Sequence, residues 1–106
     1  MDDKDKKELR KCERCHFRED ILIDDMTTCV SSDISENGLY VCIMQPLEED
    51  RIVNVTIPFK GRKIIVKARV HYSHPGIGTG LIFIDLNDEQ RSMIRGLMKS
   101  LTSSPY

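Results

Sequence analysis

Tryptophan is absent from this chain, aromatic residues make up only 6% of it, and no apolar run is long enough to cross a bilayer as a helix. The longest stretch without a charged residue, Val70 to Ile84, is broken by His71, His74, Pro75 and three glycines; a spanning helix needs about 20 largely apolar residues. Membrane insertion by a helix is thereby excluded. The opening residues, Met1-Asp2-Asp3-Lys4-Asp5-Lys6-Lys7-Glu8, are too charged for the apolar core of a signal peptide, so the expected location is the cytoplasm. A large charge of one sign is also missing. The formal net charge of −1 gives no reason to expect a nucleic-acid polymer or an anionic membrane as partner, since both call for a broad basic surface. With 106 residues there is room for one core and one domain. The four cysteines fit free thiols in a reducing compartment better than a disulfide framework; Cys29 and Cys42 fall in strand-like runs and read as core filler.

What the chain does have is charge sorted by position. Lys6 to Arg18 carries six Lys or Arg against two Glu, Glu19 to Asp50 carries nine acids and no Lys or Arg, and Arg51 to Ile84 carries six basic residues and no acid. A basic arm, an acidic hairpin region and basic central strands can form a local, bipolar site for a small polar anion.

From residue 19 onward the hydrophobic pattern has the period of two that half-buried strands require. Ile21-Leu22-Ile23, the turn signal Asp24-Asp25, and Met26 to Ser31 read as a hairpin. Leu39 to Met44 follows Asn37-Gly38. In Ile52 to Phe59 the apolar Val53, Val55 and Ile57 alternate with Asn54 and Thr56. In Ile64 to Tyr72, Val66, Ala68, Val70 and Tyr72 are expected on one face, with Lys67, Arg69 and His71 on the other. Phe59-Lys60-Gly61-Arg62 is a plausible connecting turn, and Gly80 to Ile84 a last strand. The period then changes: Asn87 with Gln90 makes a capping box, and Ile94, Leu97, Met98 and Leu101 fall on one helical face. Short strands closed by one helix predict a small antiparallel barrel.

Two elements carry chemistry. Arg10-Lys11-Cys12-Glu13-Arg14 sets two guanidiniums four apart; each can grip a phosphate bidentately, stack on a base or pair with guanine O6 and N7. Alone, such a pair is also what a solvated charged arm looks like. In Asp33-Ile34-Ser35-Glu36-Asn37-Gly38, an acid can accept from the guanine N1–H and N2–H₂ edge. A hydroxyl can donate to phosphate or orient an arginine, and glycine permits a positive φ. Alone, this segment is equally an Asx-type turn.

In order, R-x-x-x-R, a short strand pair, D-x-S-x-x-G running into Gly38-Leu39-Tyr40-Val41, two long strands, and Gly80-Leu81-Ile82-Phe83-Ile84-Asp85-Leu86 before a helix resemble the PilZ domain. The resemblance spans about residues 9–101. It implies a mostly-β protein: a six-stranded antiparallel barrel (19–86) with a C-terminal helix (87–101). A flexible arm (9–18) would close over cyclic di-GMP, with disordered tails at 1–8 and 102–106. Arg10 and Arg14 match the family's arginines, and Asp33, Ser35 and Gly38 its turn; the family is a ligand sensor, not an enzyme. Action would then pass through an unidentified effector protein in motility, attachment or exopolysaccharide control. Leu9 stands where many members have a further arginine, which bears on whether one ligand or an intercalated pair binds. His16 stands where they have proline.

Other readings compete. Cys12-Glu13-Arg14-Cys15-His16 matches the C-x-x-C-H of haem attachment, but that chemistry belongs to exported proteins. Cys12, Cys15 and His16 supply three zinc ligands where a structural site wants four. Oxidation of the two thiols that straddle Arg14 is a redox alternative. His16, His71 and His74 are scattered and Ser35 has no evident base, which argues against catalysis. The three Phe and three Tyr sit mostly at core-like positions rather than in a stacking stripe, which argues against oligonucleotides. The remaining rival is a PilZ-like interaction adaptor that does not bind the nucleotide.

Overall fold

The computed structural model describes residues 14–102; Arg10, Cys12 and the two expected tail segments lie outside them, apart from the backbone of Thr102. Seven strands and a helix follow in order: β1 (Cys15–His16), β2 (Asp20–Ile23), β3 (Thr27–Ile34), β4 (Gly38–Cys42), β5 (Ile52–Phe59), β6 (Arg62–His74), β7 (Gly78–Ile84) and α1 (Asp88–Thr102). The sheet runs β1-β3-β2-β5-β6-β7-β4, and a further pairing of β3 with β4 closes it. The six strands β2 to β7 thus make the expected antiparallel barrel, and β1 is an extra strand along β3.

Alternation decides which face of each strand goes inside. Val53, Val55 and Ile57 of β5 and Ile64, Val66, Ala68 and Val70 of β6 are buried, joined by Ile21, Ile23, Ile34, Leu39, Val41, Leu81 and Phe83. Turn chemistry fits the closure. Lys60 and Gly61 both have positive φ (52° and 75°) and join β5 to β6 with Phe59 opposite Arg62, the two-residue turn whose twist matches paired strands. Asp24 and Asp25, also at positive φ, turn β2 into β3, and the Asp24 carboxylate accepts from the Asn54 N–H (2.8 Å) and from Arg51 Nη2 (2.9 Å).

The barrel has two unlike ends. The β3–β4 and β5–β6 turns and α1 share one. At the other lie the segments 24–26, 43–51 and 75–77, which bring together Asp24, Asp25, Glu48, Glu49 and Asp50. The helix begins as its sequence requires: the Asn87 N–H donates to Gln90 Oε1 (2.8 Å) and the Gln90 N–H donates to Asn87 Oδ1 (2.7 Å). Ile94, Leu97 and Met98 complete the core from that end.

One irregularity roots the N-terminal segment. Cys15 faces Ile34 and His16 faces Asp33, but Asp20 faces Val30, so one extra residue is taken up between β1 and β2, a bulge in effect. Fully buried Ser31 fills the break: its hydroxyl accepts from the Glu19 N–H (3.0 Å) and donates to the Phe17 carbonyl. Phe17 itself is buried in the core.

Two stability changes are expected. A Cβ on Gly96 would meet nothing nearer than Phe59 Cε2 at 3.8 Å, so Gly96→Ala should raise unfolding free energy by about 0.5–1 kcal/mol through helix propensity. Ser31→Ala leaves the Phe17 carbonyl and Glu19 N–H without their partner and should lower it by about 1–3 kcal/mol. Urea unfolding of both variants checks the two signs.

Candidate ligand-binding site

The segment Asp33 to Gly38 divides between a strand end and a turn. Ile34 points into the core, so alternation sends Asp33 to the outer wall, opposite Tyr40 of β4. The turn is built by serine rather than by the acid: Ser35 Oγ accepts from the N–H of Asn37 and of Gly38, both at 3.2 Å, and the Ser35 N–H donates to the Gly38 carbonyl (2.9 Å). Two accepted bonds leave the hydroxyl its own proton to donate outward. The Asx-type reading of this turn is corrected accordingly. So is the expected role of Gly38, which is not among the residues with positive φ. Glycine stands there because a Cβ would collide with the Leu81 carbonyl oxygen of β7.

Arg14, at the start of the described chain, is held beside this turn because β1 pairs with the end of β3. Its Nη1 lies 3.2 Å from Asp33 Oδ1, with the side chains 64% and 26% exposed. The other carboxylate oxygen accepts from Ser32 Oγ (3.0 Å). An ion pair this open contributes little to stability, so it can be exchanged for a ligand at small cost. Arg14, Asp33, Ser35 and Gly38 line one open cleft of about 130 Å³ on the barrel wall. Arg10 lies outside the described residues.

The far side of the cleft was not foreseen. Tyr40, His71, Tyr72, Gly80 and Ile82 also line it. Register shifts between Val70 and Tyr72, which places an extra residue at His71 and turns Tyr72 out of the core-facing series to which alternation assigned it. Tyr72 is half-buried on the outer wall. Its ring covers Gly80, where a Cβ would come within 2.7 Å of Cζ, and the Tyr40 ring covers Gly78 in the same way at 2.6 Å. The two rings are 6.1 Å apart, and His71 and His74 each lie 5.2 Å from Tyr72. Burial, then the neighbouring Tyr72, Cys42 and Asp33, push the Tyr40 phenol above its ordinary value, so it remains a proton donor at neutral pH. The glycines at 78 and 80, two apart in one strand and each beneath a tyrosine ring, were the available sequence signal.

Two further expectations change. Cys42 is exposed rather than core filler, whereas Cys29 is buried, donates to the Ile21 carbonyl (3.7 Å) and has its pKa pushed up to about 11, chiefly by burial. Cys29 is therefore a neutral, unreactive thiol at physiological pH. The haem, zinc and redox readings all need Cys12, which lies outside the described residues. For the turn, Gly38→Ala should lower stability by about 1–3 kcal/mol through overpacking against β7 and displace Ser35; a thermal melt and the amide shifts of Ser35 to Gly38 measure both.

Two solved structures share the fold. A crystal structure of the PilZ domain of CeSA from a cellulose-synthesizing bacterium superimposes with a TM-score of 0.71 at 22% identity, covering 84% of this chain and 97% of that one. The inhibitor of motility MotI/DgrA of Bacillus subtilis superimposes with a TM-score of 0.65 at 15% identity, covering 84% of this chain and 47% of that one. At these identities the likeness is one of fold. No curated protein matches the sequence. The family model of the PilZ domain matches residues 8–100, nearly the whole chain, and the chain therefore belongs to the PilZ domain family, a family of cyclic di-GMP receptors.

Proposed function

We propose that this chain is a cyclic di-GMP sensor that holds its ligand on the outer wall of the barrel between an arginine-bearing arm and the Asp33–Gly38 turn. The reading rests on the convergence of Arg14 with the Asp33, Ser35 and Gly38 of a turn 19 residues further along, on one cleft. Each group suits part of the ligand. Arg14, with Arg10 from the arm, supplies guanidinium donors for a phosphate or for guanine O6 and N7. The Asp33 carboxylate accepts from the guanine N1–H and N2–H₂ edge, and Ser35 donates its remaining proton.

The size of the cleft supports a role for the arm. At about 130 Å³ it is well below the roughly 300–1,000 Å³ of pockets that enclose a drug-sized ligand. It takes part of a cyclic dinucleotide, and the arm covers the rest. Fixing an arm costs about 1–2 kcal/mol per residue in backbone entropy, which charged hydrogen bonds and stacking to the ligand must offset. Arm closure then changes the surface shown to an effector protein, an order-on-binding switch. The output we assign is control of motility, attachment or exopolysaccharide synthesis from the cytoplasm, through a partner protein and without catalysis.

Calorimetric titration with cyclic di-GMP is the test. Arg14→Ala and Asp33→Ala should each weaken binding by roughly 2 kcal/mol, about thirtyfold, with the fold intact by circular dichroism. A wild-type protein that is folded yet takes up no cyclic di-GMP at high micromolar concentration would refute the sensor and leave the interaction adaptor in its place.

A further inference from the structure

Asp33, Tyr40, Gly80 and Tyr72 stand in register across four adjacent strands, β3, β4, β7 and β6. At 4.7–4.9 Å per strand the row is roughly 14 Å wide. Arg14 and the turn occupy one end of it. The other end is aromatic, and the proposed roles of the arginines, the acid and the serine leave it without a task.

That aromatic end is built, not incidental. An extra residue at His71 re-aims Tyr72 onto the outer wall, a use to which bulges beside binding sites are put. Glycine at 80 lets the phenol ring lie down over the strand, and any Cβ there would collide with it. His71 meets the ring edge-on, while His74 and Tyr40 flank it at a tilt. One ring face is thus packed on Gly80 and the ring is held by three neighbours, so a base stacking on the other face orders little that is not ordered already.

We propose that Tyr72 is the base-stacking surface of this cleft: one purine of the ligand lies on its ring while Arg14 and Asp33 hold the opposite side. The proposal rests on the cyclic di-GMP reading and names a side chain, on a strand remote from the arginine and D-x-S-x-x-G motifs, that sets affinity. Stacking of a base on an aromatic ring is tolerant of the phenol oxygen and requires the π-face.

The test compares Tyr72→Phe, which keeps the face, with Tyr72→Leu, which covers Gly80 but has none. In calorimetric titrations with cyclic di-GMP, Tyr72→Phe should bind within about threefold of wild type and Tyr72→Leu roughly 10- to 100-fold more weakly. Because the chain has no Trp and three Tyr, of which Tyr40 and Tyr72 line the cleft, tyrosine emission reports ligand at this wall. Ligand should quench it in wild type, and the quenching should be smaller in Tyr72→Phe although binding persists. Wild-type affinity in Tyr72→Leu, or a loss in Tyr72→Phe as large as in Tyr72→Leu, would overturn the stacking surface while the sensor stood. A wild-type protein that binds no ligand would overturn both, and the two failures are told apart by the wild-type titration alone.

Discussion

β3 offers one edge to β2 and β1 and the other to β4, and the Arg14, Asp33 and Ser35 end of the cleft descends from that double pairing. Closing the sheet removes the unpaired edges that a small β protein otherwise exposes. The same strand delivers Asp33 to the outer wall, starts the Ser35 turn, and carries the buried Ser31 hydroxyl that fixes where the N-terminal segment crosses. Phe17, anchored in the core, and Arg14, three residues earlier at the cleft, are therefore coupled. The barrel is the lever by which a short basic segment acquires a defined direction.

Much of this was legible in the sequence because it is local. Alternation in Ile52 to Phe59 places Val53, Val55 and Ile57 inside, and Asn87 with Gln90 announces the start of the helix; neither depends on anything far away. The arginine and D-x-S-x-x-G motifs were legible for a different reason, as an ordered pattern of residue types, and the structure brings Arg14, Asp33, Ser35 and Gly38 to one cleft. What failed to show was set by cross-strand geometry. Gly38 looked like a turn glycine, yet its constraint comes from Leu81 on β7, 43 positions further along. Tyr72 continued an unbroken apolar alternation, and only the register of β6 against β7 reveals the bulge that turns it outward. Cys42 ends a strand-like run whose neighbours are buried, but its parity with Tyr40 puts it outside.

The Arg14–Asp33 pair fixes the arrangement of one end of the cleft. Two groups of the proposed site satisfy each other across 3.2 Å, while remaining exposed enough that separating them costs little. Preorganisation of this kind keeps the guanidinium near its place of use and spares the site a large rearrangement on binding. Ser35 is arranged likewise: its oxygen holds the turn and its proton stays available to donate.

An anion approaching this molecule meets a different field at each end. The loops remote from α1 carry Asp24, Asp25, Glu48, Glu49 and Asp50, partly offset by Arg51 and Arg69, whereas Arg14 stands beside the opposite rim. With a screening length of about 8 Å in physiological salt, such an asymmetry acts only at close approach, where the acidic loops disfavour an anion. The sorting of charge along the chain thereby becomes an asymmetry in three dimensions, of a kind that bears on how fast an anion arrives rather than on how long it stays.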